Sequence, residues 1–187
     1  MNADIDVSSA HLETPRLLLR PFQKSDLVDF NAYAKVPDCG EWAGWRHHES
    51  LEESERVLTL FIEEKKTFAL VEKETGRVIG SLGLEQITCP LPSSFADLKG
   101  REIGYVLAKD QWGKGLMSEA VKAVIDYCFN TLHLDFLTVG HFKRNLRSQR
   151  VILKAGFTLF GEDVYATSYG SKEENLYYVL MAPKTEN

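Results

Sequence analysis

Residues 102–120 read Glu102-Ile103-Gly104-Tyr105-Val106-Leu107-Ala108-Lys109-Asp110-Gln111-Trp112-Gly113-Lys114-Gly115-Leu116-Met117-Ser118-Glu119-Ala120. The first part is rich in β-forming residues and predicts a strand over Glu102–Ala108. From Met117 onward Ala120, Val121, Val124, Ile125, Cys128 and Leu132 follow at i, i+3, i+4 spacing, which predicts a helix. The turn between them, Asp110 to Gly115, holds two glycines one residue apart, so backbone there can adopt unusual dihedrals and approach a ligand closely. The first amides of the helix lack intrahelical partners, the helix dipole adds partial positive charge, and Lys114 adds a full one. The turn therefore suits an anion such as phosphate, although Gly-x-Gly before a helix serves equally as a plain tight turn. It is not a P-loop, because no Ser or Thr follows a Gly-Lys pair at the required place, and it lacks the third glycine of a dinucleotide fingerprint.

Working outward, Phe136–Phe142 is a further strand, so residues 102–142 form a β-α-β unit. Its crossover should be right-handed, with ligands approaching the carboxyl end of the first strand. Upstream, Arg16–Arg20 reads as a short buried strand between two prolines. Ser25 is placed to cap a helix carrying Leu27, Phe30 and Ala34, and a second helix runs from about Ser50 to Lys65. Thr67–Val71 and Arg77–Ile87 form a hairpin, and Thr88–Gly100 is a proline-containing loop. Downstream, Leu146–Ala155 is a short helix stopped by Gly156, followed by strands at about Phe157–Val164 and Leu176–Met181. The order β-α-α-β-β-β-α-β-α-β-β indicates one mixed α/β domain over residues 11–187, behind a small, polar, flexible tail at residues 1–10.

At 187 residues the chain has length for one core, and its 44% hydrophobic and 26% charged residues are those of a globular protein. A net charge of -5 offers no electrostatic footprint for nucleic acid or anionic membrane. No stretch approaches the roughly 20 apolar residues of a membrane span. Cys39, Cys89 and Cys128 show no paired or C-x-x-C spacing and suit a reducing compartment, so a cytoplasmic protein is expected. His47-His48 with Cys39 has poor ligand spacing, and no metal is expected.

Three stretches resemble the GNAT acetyltransferase superfamily, and within it the ribosomal-protein-alanine and -serine N-acetyltransferases of the RimJ/RimL type. They are Glu102–Leu107, Trp112–Ala120 and Asn145-Leu146-Arg147-Ser148-Gln149-Arg150-Val151-Ile152-Leu153-Lys154-Ala155-Gly156-Phe157. Glu13-Thr14-Pro15-Arg16-Leu17-Leu18-Leu19-Arg20-Pro21 is also typical of that branch. The superfamily loop begins with Arg or Gln and ends with Gly or Ala, where this chain has Trp112 and Met117; both are familiar in the RimJ/RimL branch. The resemblance implies an acyl-CoA N-acyltransferase fold: a mostly antiparallel sheet of about seven strands, a splayed central parallel pair and flanking helices.

It also implies that acetyl-CoA is the co-substrate and that an amine attacks its thioester directly. The pyrophosphate would lie on Trp112, Gly113, Lys114, Gly115, Leu116, Met117 and Ser118. A backbone N–H near Val106 or Leu107 would hold the oxyanion, a donor commonly worth roughly 3–4 kcal/mol. Glu102 is the expected base, with Glu85 or an ordered water as alternatives. Ser148 would donate to the leaving sulfur, or else bond only local backbone. Asn145 would hold the pantetheine arm, cap its helix, or do both. The run Lys143, Arg144, Arg147, Arg150 and Lys154 either reaches the CoA 3′-phosphate or forms a solvated face. Trp42 and Trp45 either line the acceptor groove or cover the core. The acceptor is a protein N-terminal amine or a small amine such as a polyamine, amino acid or drug. A non-catalytic acyl-CoA-binding module is the competing class, and both a monomer and a homodimer are open.

Overall fold

The structure is a computed structural model that describes residues 1–183. The last four positions of the expected domain, 184–187, lie outside the described residues. The strands are β1 (Leu12–Glu13), β2 (Leu17–Pro21), β3 (Thr67–Glu72), β4 (Val78–Glu85), β5 (Gly100–Leu107), β6 (Phe136–Phe142), β7 (Thr158–Ala166) and β8 (Lys172–Met181). The helices are α1 (Leu27–Ala34), α2 (Leu51–Glu64), α3 (Leu116–Asn130) and α4 (Leu146–Lys154). All eight strands join one sheet in the order β1-β2-β3-β4-β5-β6-β8-β7. Among these strands of the described residues, only β5 and β6 run parallel; every other neighbouring pair is antiparallel.

Two-residue alternation assigns the faces of the central strands. Ile103 and Leu107 of β5, with Leu137 and Val139 of β6, pack under the apolar stripe of α3, whose Ala120, Val124 and Cys128 are fully buried. Val106 and Ala108 lie on the opposite face, with Phe30, Tyr33 and Leu58 from α1 and α2. Glu102, two and four residues from Gly104 and Val106, shares this second face.

The parallel pair separates partway along. β5 and β6 are in register from Gly100↔Phe136 to Ile103↔Val139 only, while β5 continues to Leu107 and β6 to Phe142. β4 stays paired to β5 as far as Leu107, and β8 to β6 as far as Phe142, so each strand is held from its outer side. Gly104 and Gly140 sit just past the last paired rung. A β-carbon at Gly140 would lie 2.8 Å from the Asn175 amide, so a side chain there would displace Asn175, which borders the opening.

Several expectations change. An eighth strand is present because Leu12–Glu13 pairs with β2 through two residues, too short for any period to reveal. Residues 1–10 are anchored at particular residues: Val7 is fully buried, its N–H donates to Lys65 O at 2.8 Å, and Ala3 O accepts from Arg101 Nε at 2.7 Å. One valine among polar residues carries no pattern, yet it fills a hole in the core. Ser25 does not cap α1. It lies in a short 3-10 turn, and Asp26 accepts the Gln23 N–H at 2.8 Å instead. Ser50 does cap α2, accepting the Glu53 N–H at 3.1 Å.

Asp26 also forms a two-bond ion pair with Arg20, at 2.8 Å to each carboxylate oxygen. Its side chain is 6% exposed and that of Arg20 15%, so removing one partner strands the other charge out of water. Asp26→Ala is expected to lower unfolding free energy by about 3 kcal/mol, read as a lower urea midpoint at unchanged m-value. A loss below about 1 kcal/mol would mean the pair behaves as a solvated surface bridge.

Candidate active site

A cavity of about 830 Å³ runs through the opening between β5 and β6. It has two compartments because neighbouring residues on β5 point to opposite faces of the sheet. On the α1/α2 face its walls include Glu102, Glu85, Thr88 and Tyr177. On the α3/α4 face they include Tyr105, Ser148, Asn145, Trp112 and the start of α3. Of the residues expected to act, Glu102, Val106, Leu107, Trp112, Gly113, Gly115, Leu116, Met117, Ser118, Asn145 and Ser148 all border this one cavity. Lys114 is the exception: its ammonium turns away to Gln111 Oε1 at 2.9 Å.

Glu102 stands beside Glu85 across the β4–β5 ladder and beside Thr138 across β5–β6. Burial pushes its pKa up to about 7, with the Glu85 charge adding to the rise and a 3.4 Å hydrogen bond from Thr138 Oγ1 opposing it. Glu85 differs, because Lys66 Nζ lies 2.6 Å from its carboxylate and 3.1 Å from that of Glu64. Of the two carboxyl groups, Glu102 is the one without a cation partner among the described residues, and it can exchange a proton near neutrality.

The backbone of β5 also has a direction. Ala108 N–H donates to Ile79 O of the neighbouring chain segment at 2.8 Å, so by alternation the Val106 peptide groups point to β4. Leu107 points the other way: its carbonyl accepts from Trp112 Nε1 at 2.7 Å and from Cys39 Sγ at 3.6 Å. Of the two amides considered, the Leu107 N–H is therefore the one facing the opening.

The glycine turn enters α3 with Gly113 at φ 78° and Gly115, its N-cap, at φ 80°. No other group lies within 4 Å of the β-carbon position of Gly113, leaving that surface free for a ligand. The turn is fastened from outside. Arg16 donates to Lys114 O at 2.9 Å and pairs with Glu119 at 2.8 Å, and Glu119 also accepts from the Arg16 N–H and Thr14 Oγ1. These bonds hold the Glu119 carboxylate well below its usual pKa. Nothing in the sequence connects positions 16 and 119, so only the fold shows Arg16 as the brace of this turn.

At the start of α4, Asn145 Oδ1 caps the helix by accepting the Ser148 N–H at 3.2 Å, while its Nδ2 reaches Trp42 O at 3.4 Å. Ser148 is 9% exposed, and its hydroxyl meets the Tyr105 hydroxyl at 2.7 Å. Trp42 lines the cavity and carries Arg144 and Arg147 over its ring, at 4.2 and 4.9 Å. Arg147 also lies 4.0 Å from the Trp112 ring, bridging the two sides of the channel. Trp45 instead packs against His48 in the core, so of the two tryptophans only Trp42 borders the cavity. His47 pairs with Glu41 and His48 with Ser54. Within the basic run, Arg144 is paired to Glu173 and Lys143 to Glu174, while Arg147, Arg150 and Lys154 border the cavity.

Residues 16–158 match the family described as Acetyltransferase (GNAT) domain. The probable N-acetyltransferase YjcK of Bacillus subtilis is 41% identical over 96 residues, a match spanning 51% of this chain and about half (49%) of that protein. The uncharacterized N-acetyltransferase p20 of Bacillus licheniformis is 30% identical over 78% of this chain and 81% of its own length. Among solved structures, the ribosomal-protein-S5-alanine acetyltransferase from Vibrio fischeri superimposes with a TM-score of 0.74 at 23% identity. That likeness covers 96% of this chain and 100% of the other, and speaks to the fold.

The raised pKa of Glu102 predicts a pH signature in stability. The folded chain holds this proton more tightly than the unfolded chain, so the contribution is full below about pH 4.5 and is lost as pH rises through about 7. Glu102→Gln should therefore shrink the fall in unfolding free energy between pH 5 and pH 8 by about 2 kcal/mol. Parallel profiles for the two proteins would place the Glu102 carboxyl at an ordinary pKa.

Proposed function

The chain belongs to the GNAT acetyltransferase family, and from that premise we propose that it moves the acetyl group of acetyl-CoA to the α-amine of a protein or peptide N-terminus. The observation that carries this reading is the cavity through the sheet, with Glu102 on one face and Ser148 on the other. Direct attack needs both at once: a base for the incoming amine and a donor for the departing sulfur.

The residues fit the donor. Gly113 offers open backbone, the first turn of α3 offers unpaired amides, and Arg150 and Lys154 border the same channel. Asn145 and Ser148 would hold the pantetheine end, with the pyrophosphate on the turn that Arg16 braces. Bound acetyl-CoA supplies an activated thioester carbonyl. Glu102 takes the proton of the amine, the Leu107 N–H faces the charge that develops on the carbonyl oxygen, and Ser148 donates toward the sulfur. Glu85 keeps its ion pair with Lys66 and contributes negative potential for a cationic acceptor.

The pKa of Glu102 favours one kind of amine. Proton transfer is best balanced when donor and acceptor are matched, and an α-amine titrates near 7.7–8.0 whereas a lysine-like amine titrates near 10.4. A group at about 7 lies close to the first and far from the second.

The test measures CoA thiol release from acetyl-CoA against short peptides with free N-termini, the same peptides blocked at the N-terminus but carrying lysine, and polyamines. Free N-termini should be used at least ~10-fold better in kcat/KM, and Glu102→Gln should lower that rate by about 10²-fold. Preferential use of polyamines or lysine side chains would overturn the acceptor assignment. An unimpaired Glu102→Gln enzyme would remove Glu102 as the base.

A further inference from the structure

We infer that Tyr105 is a positioning residue for the departing sulfur: its hydroxyl donates to Ser148 Oγ and so turns the single proton of Ser148 toward the thiolate. The inference rests on the reading of Ser148 given above and adds to it a cavity-wall residue that acts through the Ser148 hydroxyl.

A serine hydroxyl has one proton and two lone pairs. In the first turn of a helix that proton is readily lost to a carbonyl three or four residues earlier, where it would do nothing for a leaving group. Keeping it aimed at the cavity requires another donor to occupy the oxygen. Tyr105 Oη lies 2.7 Å from Ser148 Oγ, and its other contact, at 3.4 Å, is the Ser148 carbonyl. Both contacts therefore lead to the same residue.

The direction of the bond follows from acidity. A phenol is a stronger acid than an alcohol, so Tyr105 donates and Ser148 accepts. Burial raises the pKa of Tyr105 further, which keeps it protonated throughout the working range of the protein. Its ring packs on the α3/α4 face of β5 between Ile103 and Leu107, both buried, with the hydroxyl against Ser148. With its oxygen accepting a bond, Ser148 becomes the better donor, because chained hydrogen bonds polarise one another. No proton leaves Tyr105 in this scheme. As the carbon–sulfur bond breaks, the electron pair goes to sulfur, and the Ser148 O–H stabilises it by hydrogen bonding.

The sequence pattern hides this role. Tyr105 alternates with Ile103 and Leu107, so it reads as one more residue of a core-facing stripe. Only the placement of α4 above the opening brings position 148 to it.

A double-mutant cycle on kcat tests the inference, using Tyr105→Phe, Ser148→Ala and the pair in full-length protein, with acetyl-CoA and the best acceptor peptide. Ser148→Ala should lower kcat by about 10²-fold and Tyr105→Phe by about tenfold, with KM for acetyl-CoA within about threefold of the parent. In the Ser148→Ala background, Tyr105→Phe should change kcat by less than about twofold, because the hydroxyl through which Tyr105 acts is gone. If Tyr105→Phe alone leaves kcat unchanged while Ser148→Ala lowers it, the positioning role is wrong and the role of Ser148 stands. If the two losses multiply, Tyr105 acts by general packing and the inference is overturned. If Ser148→Ala itself has no effect, the reading of Ser148 fails first and this one with it.

Discussion

The parting of β5 from β6 after the rung Ile103↔Val139 is the constraint on which the site depends. A parallel pair normally satisfies its amides by continuing side by side. Here each strand is held by its antiparallel neighbour while its inner edge is left open. Open backbone at the centre of a sheet is costly unless a ligand or water satisfies it. The architecture accordingly turns that cost into a channel, with Gly104 and Gly140 sparing it from side chains.

One strand then organises both compartments. Period-two alternation along β5 sends Glu102 to the α1/α2 face and Tyr105 to the α3/α4 face, and directs the Leu107 peptide into the opening between them. The electrostatics follow from what surrounds each group. Glu102 is desolvated and near another carboxylate, so it holds its proton to about pH 7. Glu85, one strand away, is bound to Lys66. Two carboxyl groups in one cavity thus sit in different surroundings: Glu102 has no cation partner among the described residues, and Glu85 has Lys66. The glycine turn is braced from the side of β2 by Arg16, which holds the Lys114 carbonyl and the Glu119 carboxylate.

Much of this was legible from residues. The β-α-β unit could be read because Met117 through Leu132 keep a helical period and the strands on each side keep their β-forming runs. The tight turn into α3 could be read from Gly113 and Gly115, and the Asn145 cap from its position before α4. Other features depend on contacts that no local pattern encodes. Val7 looks like an isolated apolar residue in a tail, although it is fully buried. Tyr105 looks like core, and the Arg16–Glu119 pair joins residues far apart in the chain. The choice between Val106 and Leu107 could not be made from side chains, since it turns on which strand pairs with which edge. The split between Trp42 and Trp45 is of the same kind: both lie in an irregular stretch, and only packing separates the wall residue from the core residue.

The central claim is that acetyl-CoA enters the opening and engages the inner edge of β5. Amide hydrogen exchange followed residue by residue, with and without saturating acetyl-CoA, tests it most directly. The Leu107 amide should exchange readily in the free protein and become strongly protected in the complex. The Val106 amide, directed at β4, should change little. An unprotected Leu107 amide at saturating acetyl-CoA would contradict the account.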